Sequence, residues 1–294
     1  MLSQALRTAL ETAIGRAAGT PFAIGRATAA SGGCIHSNWV LESGETRYFA
    51  KTNDAGLAAT LAAEADGLVA LAGTGLRVPR PIAQGEADGR AFLVLEHLAL
   101  GRGTDIAFRE LGRGLARLHA HHGGAFGWHR DNFIGLTAQS NARHGPWAEF
   151  WRRERLAPQL DLAARNGYRG ALQALGRRVM DVVPQLLAGH APAPSLLHGD
   201  LWSGNAGFLA DGAPVVFDPA VYYGDAEADL AMTELFGGFP ASFYEGYREV
   251  RPIDDGYPLR RVLYNLYHVL NHLNLFGSGY LRQVEQTLGL LHAL

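Results

Sequence analysis

One segment in the last third of the chain constrains the fold more than any other. Residues 196–205 read LLHGDLWSGN, and a Phe-Asp-Pro sequence follows after a short stretch with an Asp-Gly turn. The apolar residues on both sides of that turn predict a β-hairpin over 206–217. Such a hairpin would return Asp218 toward the loop that carries Asp200 and Asn205. The fold must therefore present three oxygen-bearing side chains on one loop and its adjoining hairpin.

The spacing of these three residues indicates phosphoryl transfer. In the catalytic loop of protein kinases an Asp accepts the hydroxyl proton, an Asn five residues later binds magnesium, and a second Asp follows a strand pair. Asp200 and Asn205 keep that separation. Mg²⁺ prefers oxygen ligands, so Asn205 and Asp218 are predicted to bind it and Asp200 to act as base. A single His-Gly-Asp could be a turn with a capping Asp, but the three residues together disfavour that alternative.

Lysine occurs once among the 26 cationic residues, at position 51. Arginine serves surface solubility equally well, whereas its planar fork cannot replace a compact ammonium between phosphate oxygens. On the following predicted helix, Glu64 shares an apolar stripe with Leu61 and Leu68 at 100° per residue. A buried carboxylate requires a partner, so a Lys51–Glu64 ion pair is predicted. The alternatives are chance survival of the lysine and a Glu64 side chain that reaches solvent.

The chain changes texture near residues 97–103. Before this point, helices are predicted over 2–17 and 55–71, and strands over 22–30, 38–42, 46–51, 80–85 and 90–96, with Lys51 ending the third strand. After it, helices are predicted over 104–121, 147–164, 168–187, 225–236, 239–248 and 258–276. The expected class is α+β and bilobal, with a nucleotide-binding lobe over 1–98 and a catalytic and substrate-binding lobe over 99–294.

Two further segments are candidates for nucleotide binding. The turn between the first two strands offers backbone N–H groups to phosphates, at Gly32, Gly33, Cys34 and Ile35. Paired glycines are also ordinary hairpin chemistry, and no definite role is assigned to His36 or Ser37. Glu96 and Leu98, in the connection between the lobes, are candidates to bind the adenine edge through backbone groups.

Composition excludes several classes of protein. The net charge of −2 without long charged runs disfavours nucleic acid as a partner. The amino terminus lacks the pattern of a secretory signal and no stretch approaches about 18 uninterrupted apolar residues, so a cytoplasmic protein without membrane contact is expected. The one cysteine, Cys34, excludes an intrachain disulfide; it is either a buried apolar residue or a redox-sensitive one. The cluster His119, His121 and His122 is interpreted as a helix end rather than a zinc site.

At this point the sequence resembles the fructosamine/ketosamine kinases, within the protein-kinase-like group of aminoglycoside and choline phosphotransferases. The resemblance extends over nearly the whole chain. The segments that carry it most clearly are HGDLWSGN (198–205), FDPA (217–220), YYGDAEADLAM (222–232) and LFGGFP (235–240). Others that agree are EHL (96–98), FGWHRDNFIG (126–135), WAEFWRRERLAPQLDLA (147–163) and LNHLNLFG (270–277).

The resemblance implies a bilobal kinase that uses ATP and Mg²⁺ to phosphorylate O3 of the sugar in a ketoamine adduct, which then breaks down. The expected substrate is a small ketosamine or a glycated protein, and the expected state a monomer or weak dimer. The roles carried over are Asp200 as base, Asn205 and Asp218 as metal ligands, and Lys51 with Glu64 as the phosphate-positioning pair.

Trp202 is expected to line the sugar site, because sugar C–H faces stack on aromatic rings. The alternative is that it anchors the loop in the core. His272 and Asn271 are candidates to face the acceptor pocket.

The sequence departs from protein kinases in ways that bear on its substrate. Gly199 replaces the arginine of the catalytic loop, and no segment for activation-loop phosphorylation follows, which favours a small-molecule acceptor. A related kinase for aminoglycosides or amino alcohols remains an alternative, with Asp225, Glu227 and Asp229 supplying an acidic pocket. A regulatory pseudokinase is a second alternative, although its usual loss of lysine, base or metal residues is not observed.

Overall fold

The computed structural model describes residues 2–30 and 36–293. The chain folds into two compact units, one formed by the residues up to Gly103 together with Gly207–Pro219, and one by Thr104–Ala206 together with the residues from Ala220 onward. The predicted α+β class is confirmed. The assignment of nucleotide binding to 1–98 and of catalysis to 99–294 stays a prediction.

The described residues form ten α-helices and twelve strands, each set numbered in chain order. The helices are α1 (Gln4–Ala18), α2 (Ala58–Ala72), α3 (Asp105–Leu118), α4 (Trp147–Phe150), α5 (Ala157–Arg165), α6 (Ala171–Leu186), α7 (Ala226–Leu235), α8 (Ala241–Val250), α9 (Tyr257–Phe276) and α10 (Leu281–His292). The strands are β1 (Arg26–Ala30), β2 (Ser37–Ser43), β3 (Thr46–Asp54), β4 (Pro81–Ala87), β5 (Arg90–Glu96), β6 (Leu100–Gly101), β7 (Asn132–Ile134), β8 (Thr137–Gln139), β9 (Ser195–Leu197), β10 (Ala206–Leu209), β11 (Pro214–Val216) and β12 (Tyr222–Gly224). A π-helical stretch, Trp151–Leu156, joins α4 to α5.

The first unit is built on an antiparallel sheet in the order β1-β2-β3-β5-β4. Helix α1 packs on one face, where its leucines meet Ala50 and Val94 in a common core. This helix is capped at its N-terminus by Ser3, whose Oγ accepts the Leu6 N–H, and at its C-terminus by Gly19, which has a φ of 70°. Because side chains alternate along a strand, Lys51 lies on the other face, toward α2.

Helix α2 belongs to the one helical stretch among the described residues that is long and apolar enough to cross a membrane. That stretch, residues 55–72, has a mean hydropathy of 1.4. Its leucines Leu61, Leu68 and Leu71 are buried, and Glu64 is buried among them. Packing against the sheet of this unit therefore accounts for the apolar composition of the helix.

The second unit is mainly helical around an aromatic core that includes Trp151 and Tyr264. Helices α3 and α8 approach closely because Gly112 and Gly246 lie at their contact: a Cβ on Gly112 would be 2.0 Å from Phe243 O. The short strands β9 and β12 pair antiparallel.

Most predicted elements are present, with shifted ends. The first strand begins at Arg26 rather than at residue 22, so that part of the prediction is wrong. Lys51 does not end the third strand, which continues to Asp54. Helix α10 and the hairpin formed by β7 and β8 were not predicted.

Candidate active site

Lys51 is held between two carboxylates inside the first unit. Its side chain is 5% exposed, and its Nζ lies 2.7 Å from Glu64 Oε1 on α2. The same Nζ also contacts Asp218 Oδ1. The predicted Lys51–Glu64 ion pair is thus present, and the only lysine of the chain bridges the sheet, the helix and the segment after β11.

Burial sets the ionisation of this pair. It raises the pKa of Glu64 above its ordinary value, against the opposing effect of the Lys51 ammonium. Burial alone would lower the pKa of Lys51, but the Asp218 and Glu64 carboxylates outweigh it and raise that pKa above its ordinary value. Lys51 therefore stays cationic at neutral pH and can attract an anionic group.

Asp218 has a backbone conformation that is uncommon for a residue other than glycine, with a φ of 58°. Strained residues of this kind cluster at functional sites. The predicted hairpin is present as β10 and β11, with Phe208 of β10 paired to Gly101 of β6. The Val216 N–H donates to Arg77 O at 3.0 Å. These bonds attach the segment before Asp218 to the first unit.

The loop that carries Asp200 belongs to the second unit. Gly199 has a φ of 85°, and a Cβ there would lie 2.0 Å from Ala220 O. The Ala220 N–H in turn donates to His198 O at 2.8 Å. A glycine is required at 199 by this close approach, which explains why the arginine of protein kinases has no counterpart here.

Asn205 is oriented by Asp200. Its Nδ2 donates to Asp200 O at 2.8 Å and to Asp200 Oδ2 at 3.3 Å. With the amide nitrogen used in this way, Oδ1 is the atom of Asn205 that can take a cation. The carboxylate of Asp200 is half-buried.

Asp229 on α7 stabilises this loop by hydrogen bonds to its backbone, a role that the sequence did not predict. Its carboxylate accepts the N–H of His198 at 2.7 Å and of Gly199 at 2.8 Å, and it is 3.1 Å from His119 Nε2. Burial raises the pKa of Asp229, but the bonds from His119 and the Gly199 N–H outweigh it and hold the pKa below its ordinary value. An acidic residue about 30 positions after a glycine-containing loop gives no local signal of such a contact.

A second support comes from the β7–β8 hairpin. Asn132 Nδ2 donates to Val221 O at 2.7 Å, and Gln139 Nε2 donates to Ala220 O at 3.2 Å. The Tyr267 hydroxyl donates to Gln139 Oε1 at 2.7 Å. These buried side chains hold the two residues that follow Asp218-Pro219 along the chain.

The candidates for nucleotide binding differ in what the structure describes. The Glu96 N–H donates to Arg80 O at 2.8 Å, and its carboxylate pairs with Arg77. Within the described part of the chain, nothing hydrogen-bonds to the Leu98 amide. The candidates Gly32, Gly33, Cys34 and Ile35 lie outside the described residues.

Trp202 and His272 differ in exposure. Trp202 is 38% exposed, so it is not a core anchor, and its ring covers Gly204. His272 is half-buried, with Nδ1 2.8 Å from His268 O, which leaves Nε2 as a hydrogen-bond acceptor. Its ring packs on those of Phe236, Phe276 and Tyr280. Asn271 is buried, and its side-chain amide is hydrogen-bonded to Gln159 and to the Ile134 carbonyl. These two bonds account for the amide, so it does not require a contact with a substrate.

The three carboxylates considered for an acidic pocket are already paired inside the second unit. Asp229 holds the loop that carries Asp200, and Asp225 accepts from Tyr264 while lying 2.6 Å from His190 Nε2. Arg260 takes both carboxylate oxygens of Glu227, at 2.5 and 2.8 Å. His190, Asp225 and Glu227 place ligand-type atoms within 4.8 Å of one another. Because a guanidinium already neutralises Glu227, this cluster is a charge network.

The sequence matches known proteins over almost its full length. The family model described as fructosamine kinase matches residues 6–293. The probable ketoamine kinase of Synechocystis is 50% identical over 277 residues, which cover 94% of this chain and 93% of the relative. The chloroplastic protein-ribulosamine 3-kinase of Oryza sativa subsp. indica is 41% identical, over 85% of this chain and 73% of the relative.

Solved structures agree with this match. A crystal structure assigned to a fructosamine-3-kinase from Haemophilus somnus superimposes with a TM-score of 0.89 at 28% identity, over 96% of both chains. An aminoglycoside phosphotransferase in complex with ADP and hygromycin B gives a TM-score of 0.64 at 15% identity, over 92% of this chain and 93% of that one, and so shares the fold. The chain therefore belongs to the fructosamine kinase family and is a phosphotransferase with the protein-kinase-like fold.

Proposed function

We propose that this protein transfers the γ-phosphoryl group of ATP to the O3 hydroxyl of a ketosamine sugar, such as a fructosamine or ribulosamine. The observation that carries the proposal is the buried Lys51 ammonium, which contacts the buried Glu64 and the partly exposed Asp218, since a desolvated ammonium fixed by carboxylates is suited to triphosphate oxygens. The names of the Synechocystis and rice relatives support a ketosamine as the acceptor.

Asp200 is proposed as the base. The O3 oxygen forms a bond to the γ-phosphorus, the bond from that phosphorus to the bridging oxygen breaks, and ADP leaves with the electron pair. The hydroxyl proton passes to the Asp200 carboxylate. The hydrogen bond from Asn205 Nδ2 to Asp200 Oδ2 supports this role, because it orients the carboxylate before the substrate binds.

The nucleotide is proposed to bind through residues of the first unit. Lys51 contacts phosphate oxygens, the turn Gly32–Ile35 offers backbone N–H groups, and Leu98 with Glu96 binds the adenine edge through the backbone. The donor chemistry of Asn205 and Asp218, an amide oxygen and a carboxylate, fits Mg²⁺. When bound, this ion neutralises charge on the triphosphate.

The acceptor is proposed to stack on Trp202 and to approach His272. The exposed indole offers a flat apolar surface to the C–H face of a sugar. The unprotonated Nε2 of His272 can accept from a hydroxyl or ammonium group of a free ketosamine or a glycated protein. Phosphorylation at O3 would destabilise the adduct, so the proposed role is deglycation repair in the cytoplasm, by a monomer or weak dimer.

The acidic pocket that would favour an aminoglycoside or an amino alcohol as acceptor is not available among the described residues of the second unit. A cationic acceptor needs free carboxylates, whereas Asp225, Glu227 and Asp229 are all engaged. The pseudokinase alternative is disfavoured because Lys51, Asp200 and the proposed metal ligands are all retained.

The test is incubation with MgATP and a panel of ketosamines, amino alcohols and aminoglycosides, with the product identified by mass spectrometry and its phosphorylated position by NMR. Asp200→Asn should reduce turnover by about 10³-fold while ATP binding is retained, and Asp211→Asn in the exposed hairpin turn serves as the matched control. Phosphorylation of an aminoglycoside in preference to every ketosamine would contradict the proposed acceptor. Near-normal turnover by Asp200→Asn would remove Asp200 from the role of base.

A further inference from the structure

His36 immediately precedes β2, and extending the strand register by one residue places it on the same face of the sheet as Lys51. In the pairing of β2 with β3, Asn38 is opposite Lys51, so His36 comes opposite Asn53. Residues two apart on a strand share a face, which places Asn53 and Lys51 together. The contact between the two side chains agrees with this register: His36 Nδ1 is 3.0 Å from Asn53 Nδ2. His36 therefore sits beside the proposed phosphate-binding lysine.

The hydrogen bonds of Asn53 fix which nitrogen of His36 carries a proton. Asn53 Oδ1 accepts the Asp54 N–H at 2.8 Å, so the amide nitrogen is the atom that faces His36. An amide nitrogen only donates, and His36 Nδ1 must therefore accept. The imidazole hydrogen is then on Nε2, and the ring is neutral.

The charges around His36 agree with a neutral ring. Burial lowers the pKa of His36 to about 4, and the Lys51 ammonium acts in the same direction, against the opposing effect of Asp218. The neutral imidazole is consequently an uncharged donor, and the register places it on the same sheet face as the buried Lys51 ammonium. A neutral donor can bind a phosphate oxygen beside Lys51 without being repelled by its ammonium group.

We propose that His36 donates a hydrogen bond from Nε2 to a phosphate oxygen of the bound nucleotide, and that Asn53 is the positioning residue that fixes the required tautomer. The inference rests on the proposed use of ATP and adds a side-chain donor to the backbone groups and Lys51. In this proposal His36 binds a phosphate of the nucleotide and does not contact its adenine base.

The test compares His36→Leu with His36→Gln, whose terminal amide keeps an N–H donor at similar reach. We expect His36→Leu to weaken ATP binding by about tenfold, the effect of losing one hydrogen bond to a charged group. His36→Gln should stay within about threefold of the parent protein. Adenosine, which has no phosphate, should bind all three proteins equally in an NMR titration. Ser37→Ala, at the neighbouring exposed position, is the matched control and should not change either affinity.

Unchanged ATP affinity in His36→Leu would overturn the proposal, and so would an equal loss of ATP and adenosine binding, which indicates a general effect on the fold. A third readout is the ¹⁵N spectrum of the His36 ring in the nucleotide-free protein, which should show the Nε2–H tautomer; the Nδ1–H form would contradict the argument from Asn53. None of these measurements needs an acceptor. Failure to phosphorylate ketosamines would therefore leave this inference standing, and its own failure would leave the acceptor class untouched.

Discussion

At Lys51 the charge, the size and the burial of the side chain all restrict which residue can occupy the position. Lys51→Arg keeps the charge but introduces a planar group with five donors, where a 5% exposed ammonium contacts Glu64 and Asp218. We expect kcat/KM to fall by about 100-fold or more, because the larger group cannot occupy the space between the two carboxylates and the phosphate that Lys51 is proposed to bind. Steady-state kinetics with MgATP checks this.

The same strand offers a control for Lys51→Arg. Arg47, also in β3, has a side chain that is 55% exposed and pairs with Glu42. Arg47→Lys reverses the exchange at a surface ion pair, so kcat/KM should stay within about twofold of the parent. A fully active Lys51→Arg protein would show that the solitary lysine is an accident of composition.

His268, on α9, couples stability to pH. Burial lowers its pKa from 6.5 to about 3, with His272 acting in the same direction. Between these pH values the unfolded chain binds a proton at this histidine that the folded chain does not, so the free energy of unfolding falls as the pH falls. From pH 7.5 to pH 5 the loss due to His268 is about 2 kcal/mol.

Urea denaturation of the parent and of His268→Leu at both pH values isolates this contribution. The parent should lose about 2 kcal/mol more than the variant on acidification. His292→Leu, at an exposed position of α10, should retain the pH dependence of the parent. Equal losses in all three proteins would mean that His268 is protonated in the folded state.

At the scale of elements, sequence periodicity predicts long helices and strands but fails where a contact elsewhere in the chain decides the outcome. Phe22 and Ile24 alternate with other residues as in a strand, yet the Ile24 N–H donates to Glu11 Oε1 on α1, so this segment follows the helix. Strands β7 and β8 have three residues each, too few for a visible period. The π-helical stretch Trp151–Leu156 lies inside a correctly predicted helix and has no sequence signal.

The candidate site shows the same division. The Lys51–Glu64 pair could be predicted, because a carboxylate in an apolar stripe requires a partner and only one lysine was present. The support from Asp229 and Gln139 could not, since each bonds to backbone groups of the loop or of the segment after Asp218. Backbone amides and carbonyls look identical at every position of a sequence.

Packing between helices α3 and α8 leads to a prediction that reverses the usual rule for glycine. Replacing a helical glycine by alanine ordinarily stabilises by about 1 kcal/mol. At Gly112 the new Cβ would be 2.0 Å from Phe243 O, a backbone atom that cannot move without shifting α8. We expect Gly112→Ala to lower the free energy of unfolding by about 3 kcal/mol.

Gly289 provides the matched control, because it lies in α10 and a Cβ there would meet nothing within 4 Å. Gly289→Ala should raise the free energy of unfolding by about 0.5–1 kcal/mol. Urea denaturation of both variants measures the two effects. Stabilisation by both substitutions would show that α3 and α8 are not in backbone contact.

At the scale of the whole molecule, the two units are not consecutive along the chain. The segment Gly207–Pro219 belongs to the first unit, although more than 100 residues of the second unit precede it. A boundary drawn from a change in composition cannot detect this, since the pairing of β10 with β6 joins residues far apart in sequence. The chain thus supplies Asp218 to the unit that contains Lys51, while Asp200 and Asn205 stay in the other.

This arrangement predicts which backbone amides should exchange faster with solvent when the core of either unit is weakened. Leu41 and Leu263 are both fully buried, the first in the core of the first unit and the second in that of the second. Truncation of either to alanine should cost about 2–5 kcal/mol. Because the amides of 207–217 are bonded within the first unit, their hydrogen exchange should accelerate in Leu41→Ala together with that of strands β1 to β5.

In Leu263→Ala, by contrast, exchange should accelerate in α9 and its neighbours in the second unit, and the amides of 207–217 should respond less than the residues that flank them in sequence. Exchange measured by mass spectrometry on peptides covering 196–205, 207–217 and 222–232 distinguishes these cases. If 207–217 followed its flanking peptides in both variants, the hairpin would be a part of the second unit. Asp218 would then reach Lys51 from an element that unfolds independently of the sheet, and the cluster proposed to bind phosphate would not be a stable feature of the first unit.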